Sequence, residues 1–281
     1  MEDQKQMSSG YEIVIEPGKG ISQYWRDLWR YRELFYFLAW RDILVRYKQT
    51  VIGIAWSVVR PLLTMAVFTI VFGRIAKLPS DGVPYPIMVY AALLPWQLFA
   101  NSLSDSSNSL VSNTNLITKV YFPRLVMPAS SLLTSLIDFA ISSCILVLLM
   151  VWYKFVPDWR IIAIPIFLCL ALITSFGFGL WLAALNVKYR DFKYIVPFIV
   201  QLGLYISPVG FSSSVIPAKW KFMYSLNPMV GVIDGFRWAI LGGESQLYLP
   251  GLVVSFFLAA GIFTGGFVFF RKTERTFADI I

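Results

Sequence analysis

The sequence contains no histidine. That removes the commonest general base and the commonest metal ligand from its chemistry. Cysteine is nearly as scarce. Cys144 and Cys169 are the two present, and both sit in apolar runs, where they read as small hydrophobes rather than a disulfide framework or a metal site. Charge is also sparse: 14% of residues are charged, against roughly 25% in a soluble domain. Gly18-Lys19-Gly20 lacks the glycine five residues earlier that a phosphate-cradling loop requires, so the chain has no nucleotide-binding signature. No His/Cys/carboxylate set has metal spacing, and Asp105 and Asp138 form no obvious acid–base pair. These absences argue against an enzyme and against a cofactor bound by this chain. If the protein moves something uphill, the energy comes from elsewhere. Met1 to Gly20 is polar, with no apolar core, so no cleavable signal peptide is expected.

What the chain does have is apolar length. Apolar residues make up 57% and aromatics 17% of its 281 residues, with a mean hydropathy of +0.66. About six spans of ~20 residues fit such a length. Six apolar runs are long enough, at 52–72, 84–103, 125–153, 161–187, 194–215 and 247–270. The expected fold is an all-α integral membrane protein with six transmembrane helices. A polar N-terminal extension (1–23) precedes a single transmembrane domain (24–281).

The net charge of +8 raises the question of nucleic acid, but its distribution answers it. With the N-terminus placed in the cytoplasm, 16 of the 24 Lys and Arg fall on the inner side and 7 on the outer. The positive-inside rule then sets both termini in the cytoplasm, and topology accounts for the basic charge.

Three segments are not ordinary loops. Residues 24–48 interleave Trp25, Trp29 and Trp40 with Arg41, Arg46 and other arginines. They read as an amphipathic helix in the membrane interface, or as a cytoplasmic helix packed on the bundle. Residues 104–124 are rich in Ser and Asn and end in a mixed apolar and basic run. The latter half reads as a short exposed helix, and a loop of this kind more often docks onto something than not. Residues 212–246 are too apolar for a free external loop and are broken by Pro217 and Pro228. Two short re-entrant helices between spans five and six fit them best.

Two charges lie within spans. An Asp or Arg at a helix centre costs about 2.5–3.5 kcal/mol to insert. Arg60 stands about 12 Å into the first span at 1.5 Å per residue. It either snorkels to the inner surface or faces a hydrated pathway and an anionic substrate. Asp138, near the middle of the third span, reads as a hydrogen-bond or ion-pair partner, with Arg60 as one candidate mate. Most aromatics belong to interfacial belts. Trp56, Tyr205 and Phe211 are candidates to stack on sugar rings along a route.

The order of certain motifs is then recognisable. The run Arg41-Asp42, Arg46-Tyr47-Lys48, Gly53, Trp56 and Pro61 resembles the beginning of the polysaccharide-export permeases of the type-2 ABC transporter class. Lys119-x-Tyr121-Phe122-Pro123-Arg124 resembles their second cytoplasmic segment, and Lys188-Tyr189-Arg190-Asp191-Phe192 their third. Ser225-Leu226-Asn227-Pro228, followed by Asp234-x-Phe236-Arg237, is similar to the region before their last span. The match runs from Tyr31 to Arg275 in register.

The resemblance implies a homodimer with a channel between protomers, in the cytoplasmic (inner) membrane of a bacterium. A separate ATPase subunit would bind ATP and Mg2+ on its behalf. The substrate would be an O-antigen, capsular or teichoic-acid polymer carried on undecaprenyl diphosphate. Leu116, Thr118, Lys119, Tyr121, Phe122 and Arg124 would couple to the ATPase. Trp56, Arg60, Tyr205 and Phe211 would line the channel, with Arg60, Arg41 and Arg46 near a diphosphate. Trp220, Tyr224, Asn227, Pro228, Phe236 and Trp238 would form the external gate. An ABC exporter of a small hydrophobic compound predicts the same topology. A membrane-embedded glycosyl- or acyltransferase would need a catalytic His or acid pair that is missing.

Overall fold

Apolar runs without water must satisfy their backbone polar groups internally, and helices do this within one segment. The computed structural model describes residues 21–48, 53–80, 82–242 and 247–277, and among them it is helical with no strand. The N-terminal extension, residues 1–20, lies outside the described residues, as does the start of the first expected span at 52. In chain order the helices are α1 (Ile21–Arg30), α2 (Arg32–Lys48), α3 (Gly53–Phe68), α4 (Tyr85–Asn108), α5 (Thr114–Lys119) and α6 (Val126–Trp152). They continue with α7 (Ile164–Lys188), α8 (Phe192–Ile206), α9 (Ala218–Tyr224), α10 (Pro228–Leu241) and α11 (Leu249–Thr273). A π-helical stretch, Thr69–Ile75, prolongs α3.

Among the described residues, five helical stretches are long and apolar enough to cross a bilayer: Ala55–Ile75, Tyr85–Asn108, Val126–Trp152, Trp159–Lys188 and Leu249–Thr276. The remaining expected span, 194–215, is not one helix. Its helix α8 has 15 residues, about 22 Å of rise against a hydrocarbon core of ~30 Å. Pro208 cannot donate an N–H back into the last turn, and the chain continues from Ser207 to Gly210 as buried, non-helical backbone. Carbonyls freed in this way need donors. Arg237 of α10 supplies them, donating to Val209 O at 3.0 Å and to Phe211 O at 2.7 Å. Its Nε also reaches Met88 O of α4 at 3.4 Å.

The second span runs past its expected end at 103 as α4 continues to Asn108. Serine and asparagine close their polar groups on the helix itself: Ser107 Oγ and Asn108 Nδ2 both donate to Ser104 O at 2.9 Å. Asn186 of α7 then clasps this turn through Ser107 O and Asn108 Oδ1.

α4 is the axis of the bundle. It is buried along most of its length and packs on α3, α6, α7, α8 and α10. α10 is one of the expected re-entrant helices: Asn227 caps its first turn by accepting from Met229 N, Pro228 occupies the first turn, and nearly all of its residues are buried. α3 and α8 instead leave apolar faces open, including Leu63, Val67, Phe198 and Leu202. A second apolar cluster lies where α1, α2, α5, α7 and α11 meet, built on Tyr24, Leu38, Ile117, Phe122, Leu180 and Phe270.

Candidate functional site: a charged, aromatic groove and a polar knot

The residues expected to carry chemistry gather in two places. The first is a groove of about 770 Å³ framed by α2, α3, α4, α6 and α8. α3 contributes Trp56, Arg60 and Thr64, four residues apart and therefore stacked on one helix face. α4 contributes Trp96, Gln97 and Asn101, and α8 contributes Gln201 and Tyr205. Trp96 reaches α8 closely: a Cβ at Gly203 would stand 2.6 Å from its ring, so any larger residue there would have to displace the Trp96 ring. Trp56 and Tyr205 are 61% and 56% exposed. Both aromatics therefore present ring surface to the groove.

The charges of the groove are sorted by distance. Arg46 donates to Asp105 Oδ2 at 2.9 Å and forms an ion pair with Asp138 Oδ2 at 3.1 Å. Tyr47 donates to Asp138 Oδ1, and Asn101 to Asp138 Oδ2 at 3.3 Å. Ser135 donates to Asp105 at 3.4 Å. Burial works against the Arg46 charge, but Asp105 and Asp138 outweigh it and hold its pKa above the ordinary arginine value. Burial, then the Asp138 hydrogen bond, raises the Tyr47 phenol. Asp138 therefore pairs with Arg46 of α2, not with Arg60. Arg60 is exposed to the groove and has no carboxylate within ion-pair distance among the described residues.

Trp56, Arg60 and Tyr205 thus share one wall system with Arg46. Phe211 does not line the groove; it sits in the unwound stretch whose carbonyl Arg237 holds. Sequence reasoning missed Gln97, Asn101, Gln201 and Trp96, because a polar residue within an otherwise apolar span carries no label for the face it occupies.

The second place is a knot where three segments meet. Arg124 N donates to Glu274 Oε1 at 2.8 Å, and the Arg124 guanidinium donates to Glu274 O. Tyr24 OH donates to Glu274 Oε2 at 3.3 Å, and Arg271 lies 3.6 Å above the Tyr24 ring. Burial, with Glu274 beside it, raises the Tyr24 phenol above its usual range. Trp25 stacks on Phe267 at 5.9 Å. The knot joins α1, the segment after α5, and the end of α11. Neither Tyr24 nor Glu274 was legible as a partner of Arg124, since 150 residues separate Arg124 from Glu274.

The other expected residues fall as follows. Lys119 and Tyr121 are exposed beside the knot, while Phe122 is buried in the second apolar cluster and Leu116 packs against it. Thr118 is exposed and donates to Thr114 O at 3.1 Å. Trp29 and Trp40 are exposed on α1 and α2, and Arg41 pairs with its neighbour Asp42 at 2.7 Å. Trp220 is exposed on α9. Tyr224 donates to Ile206 O at 2.8 Å, and Trp238 lies under Arg160 at 5.2 Å. Asn227 donates to Ser207 Oγ at 2.9 Å, tying α10 to the unwound stretch. Phe236 is wholly buried between Phe139 and Phe167.

A multi-pass helical bundle with a polar, aromatic groove at its side and an exposed loop at one end is the architecture of a membrane permease. Residues 33–241 match the ABC-2 type transporter membrane family, and the chain belongs to that family. An O-antigen export system permease protein (RfbA) of Myxococcus xanthus is 29% identical over 215 residues, covering 75% of this chain and 82% of that protein. One from Klebsiella pneumoniae is 27% identical over 248 residues, covering 86% and 92%. The polysialic acid transport protein KpsM of Escherichia coli is 23% identical over 206 residues, covering 72% and 79%.

Proposed function

We propose that this chain is the transmembrane subunit of an ATP-driven exporter. It moves a lipid-linked polysaccharide of the O-antigen, capsule or teichoic-acid type, carried on undecaprenyl diphosphate, across the bacterial cytoplasmic membrane. The observation that carries this reading is the groove: aromatic planes, amides and an arginine side by side suit weak, repeated contacts with a hydrated sugar chain. Relatives named as an O-antigen export system permease and a polysialic acid transport protein support the substrate class.

ATP is hydrolysed by a separate subunit that docks on the exposed run Lys119–Tyr121 beside the knot. Both termini face the cytoplasm, as the Lys and Arg distribution favours. Two copies of the chain pair through the open apolar faces of α3 and α8, closing their grooves into one channel.

Deletion of the gene tests the reading. The expected result is lipid-linked polymer accumulating inside the cell; normal surface polymer overturns it.

A further inference from the structure

We propose that α1 and the last turn of α11 form a binding site for anionic phospholipid headgroups, and that the bound lipid seats α1 on the polar knot. The inference is independent of the cargo, since it concerns the face that the bundle turns to the bilayer surface.

α1 sorts its residues by helix face. Tyr24, Leu28 and Tyr31 turn inward to the second apolar cluster. Trp25 and Trp29, four residues apart, form one exposed stripe, and Arg26 and Arg30 form the next. Trp25 stacks on Phe267 of α11. Val253 and Phe256 are exposed on that helix, whole turns before Phe267 and so on the same face. α11 is long and apolar enough to cross a bilayer. The tryptophan stripe is therefore continuous with a surface that meets lipid, at the depth where this span ends in Arg271 and Lys272.

The charges on this face are cations without a protein partner. Arg26 and Arg30 are exposed, and neither has a carboxylate within ion-pair distance among the described residues. Arg32 lies over Trp29 at 5.8 Å. Lys272 is exposed next to Arg271, which covers the Tyr24 ring. Of the nearby carboxylates, Glu274 is held in the knot, Asp27 is half-buried and Glu33 is exposed. Tryptophan settles at headgroup level, and guanidinium groups beside it match lipid phosphates. Basic residues at this level are drawn to an anionic leaflet. A protein partner in water would not require the apolar stripe to run on into a span, whereas a bilayer surface does. Tyr24 sits on the same short helix and donates to Glu274. A lipid that holds Trp29 and Arg30 at the surface also holds Tyr24 on the knot.

The test uses the purified full-length protein in nanodiscs of phosphatidylcholine alone and of phosphatidylcholine mixed with phosphatidylglycerol. Phosphatidylglycerol should raise the thermal midpoint and slow hydrogen exchange of α1 amides, and added salt should shrink both gains. Arg26→Gln combined with Arg30→Gln should remove most of the gain while leaving the midpoint in phosphatidylcholine unchanged. In detergent, the same pair should weaken phosphatidylglycerol binding about tenfold or more. Arg26→Lys combined with Arg30→Lys keeps the charge and should keep the gain. Lys219→Gln should keep it too: that exposed cation lies beside Trp220 on α9, near the other end of α11. Equal midpoints and equal exchange in the two lipids overturn the proposal and leave the face to a protein partner. A full gain retained by the glutamine pair also overturns it. Inorganic phosphate reproducing the gain in phosphatidylcholine overturns the lipid source. Normal surface polymer on gene deletion removes the export reading and leaves these measurements to decide the lipid site.

Discussion

Arg46 at the end of α2 is bound to Asp138 in the middle of α6 at 3.1 Å. With Asp105 on its other side, Arg46 fastens α2 to two spans at once. Removing one partner of a buried ion pair costs about 3–5 kcal/mol. Arg46 is about a third exposed (35%), so solvent screening brings the expected loss for Arg46→Gln to about 1–2 kcal/mol. Its thermal midpoint in detergent should fall clearly below wild type. Arg41→Gln, whose partner is the adjacent Asp42, should hardly move it. Adding Asp138→Asn to Arg46→Gln should restore part of the loss, because the orphaned charge goes with it. No recovery would mean that Arg46 acts through packing instead.

Glu274 holds Tyr24 of α1 and Arg124 of the segment after α5 through one carboxylate. In the proposed complex, an ATPase subunit pressing on Lys119 and Tyr121 would move this knot first. Glu274→Ala should therefore leave the assembled complex intact and raise ATP turnover per polymer exported severalfold. Glu274→Gln, which keeps the acceptor for Arg124 N, should show a milder defect. A lowered thermal midpoint with an unchanged ratio of ATP to export would assign Glu274 a purely structural role.

Tyr24 also carries a pH dependence. Its phenol pKa is raised by burial and by Glu274, and burial, then Asp234, raises that of Tyr224. The unfolded phenol titrates near about 10. A folded pKa above the unfolded one means that the stabilisation is full below pH about 10 and is lost as pH rises beyond it. Alkaline unfolding followed by circular dichroism should start near that pH. Substituting Phe at both positions should make the loss shallower above it, and an unchanged slope would argue against the buried phenols as its source.

Arg237 was legible as a charge near the last span, but not as the donor that holds an unwound backbone. Each carbonyl left without a donor in the interior costs about 1–3 kcal/mol. Arg237→Gln frees at least one of the carbonyls at Val209 and Phe211. The expected outcome is a loss of about 2–4 kcal/mol, read as poor accumulation in membranes and a lowered thermal midpoint. Arg237→Lys should recover little, since one ammonium does not span two carbonyls as the guanidinium fork does.

The spans were readable because backbone satisfaction in an apolar solvent forces long helices, and composition alone marks them. α5, α9 and α10 were readable because proline, asparagine and mixed polarity punctuate the chain there. The end of α8 at Ile206 was not readable, because Pro208 stops a helix only when a donor such as Arg237 supports the unwound alternative. That donor lies 26 residues from Phe211 in the chain. In the same way Trp56, Arg60 and Tyr205 were marked by residue type within their own helices. The pairing of Asp138 with Arg46 rather than Arg60 depends on how α2 crosses α6, and local sequence does not encode that crossing.

Helix packing gives the most local test. Gly177 of α7 lies where α11 approaches: an added Cβ would meet Phe263 N and Cα at 2.7 Å. Those are backbone atoms, so the clash cannot be relieved by a rotamer change, and the two helices must separate. Small residues at such contacts set the approach distance in membrane bundles. Gly177→Ala should therefore lower the thermal midpoint and weaken protection of α7 and α11 amides in hydrogen exchange. Gly261→Ala on the same α11, where a Cβ meets nothing within 4 Å, should be neutral or slightly stabilising, because alanine favours the helix by up to about 1 kcal/mol. Equal behaviour of the two variants would show that the α7–α11 contact is looser than its geometry states.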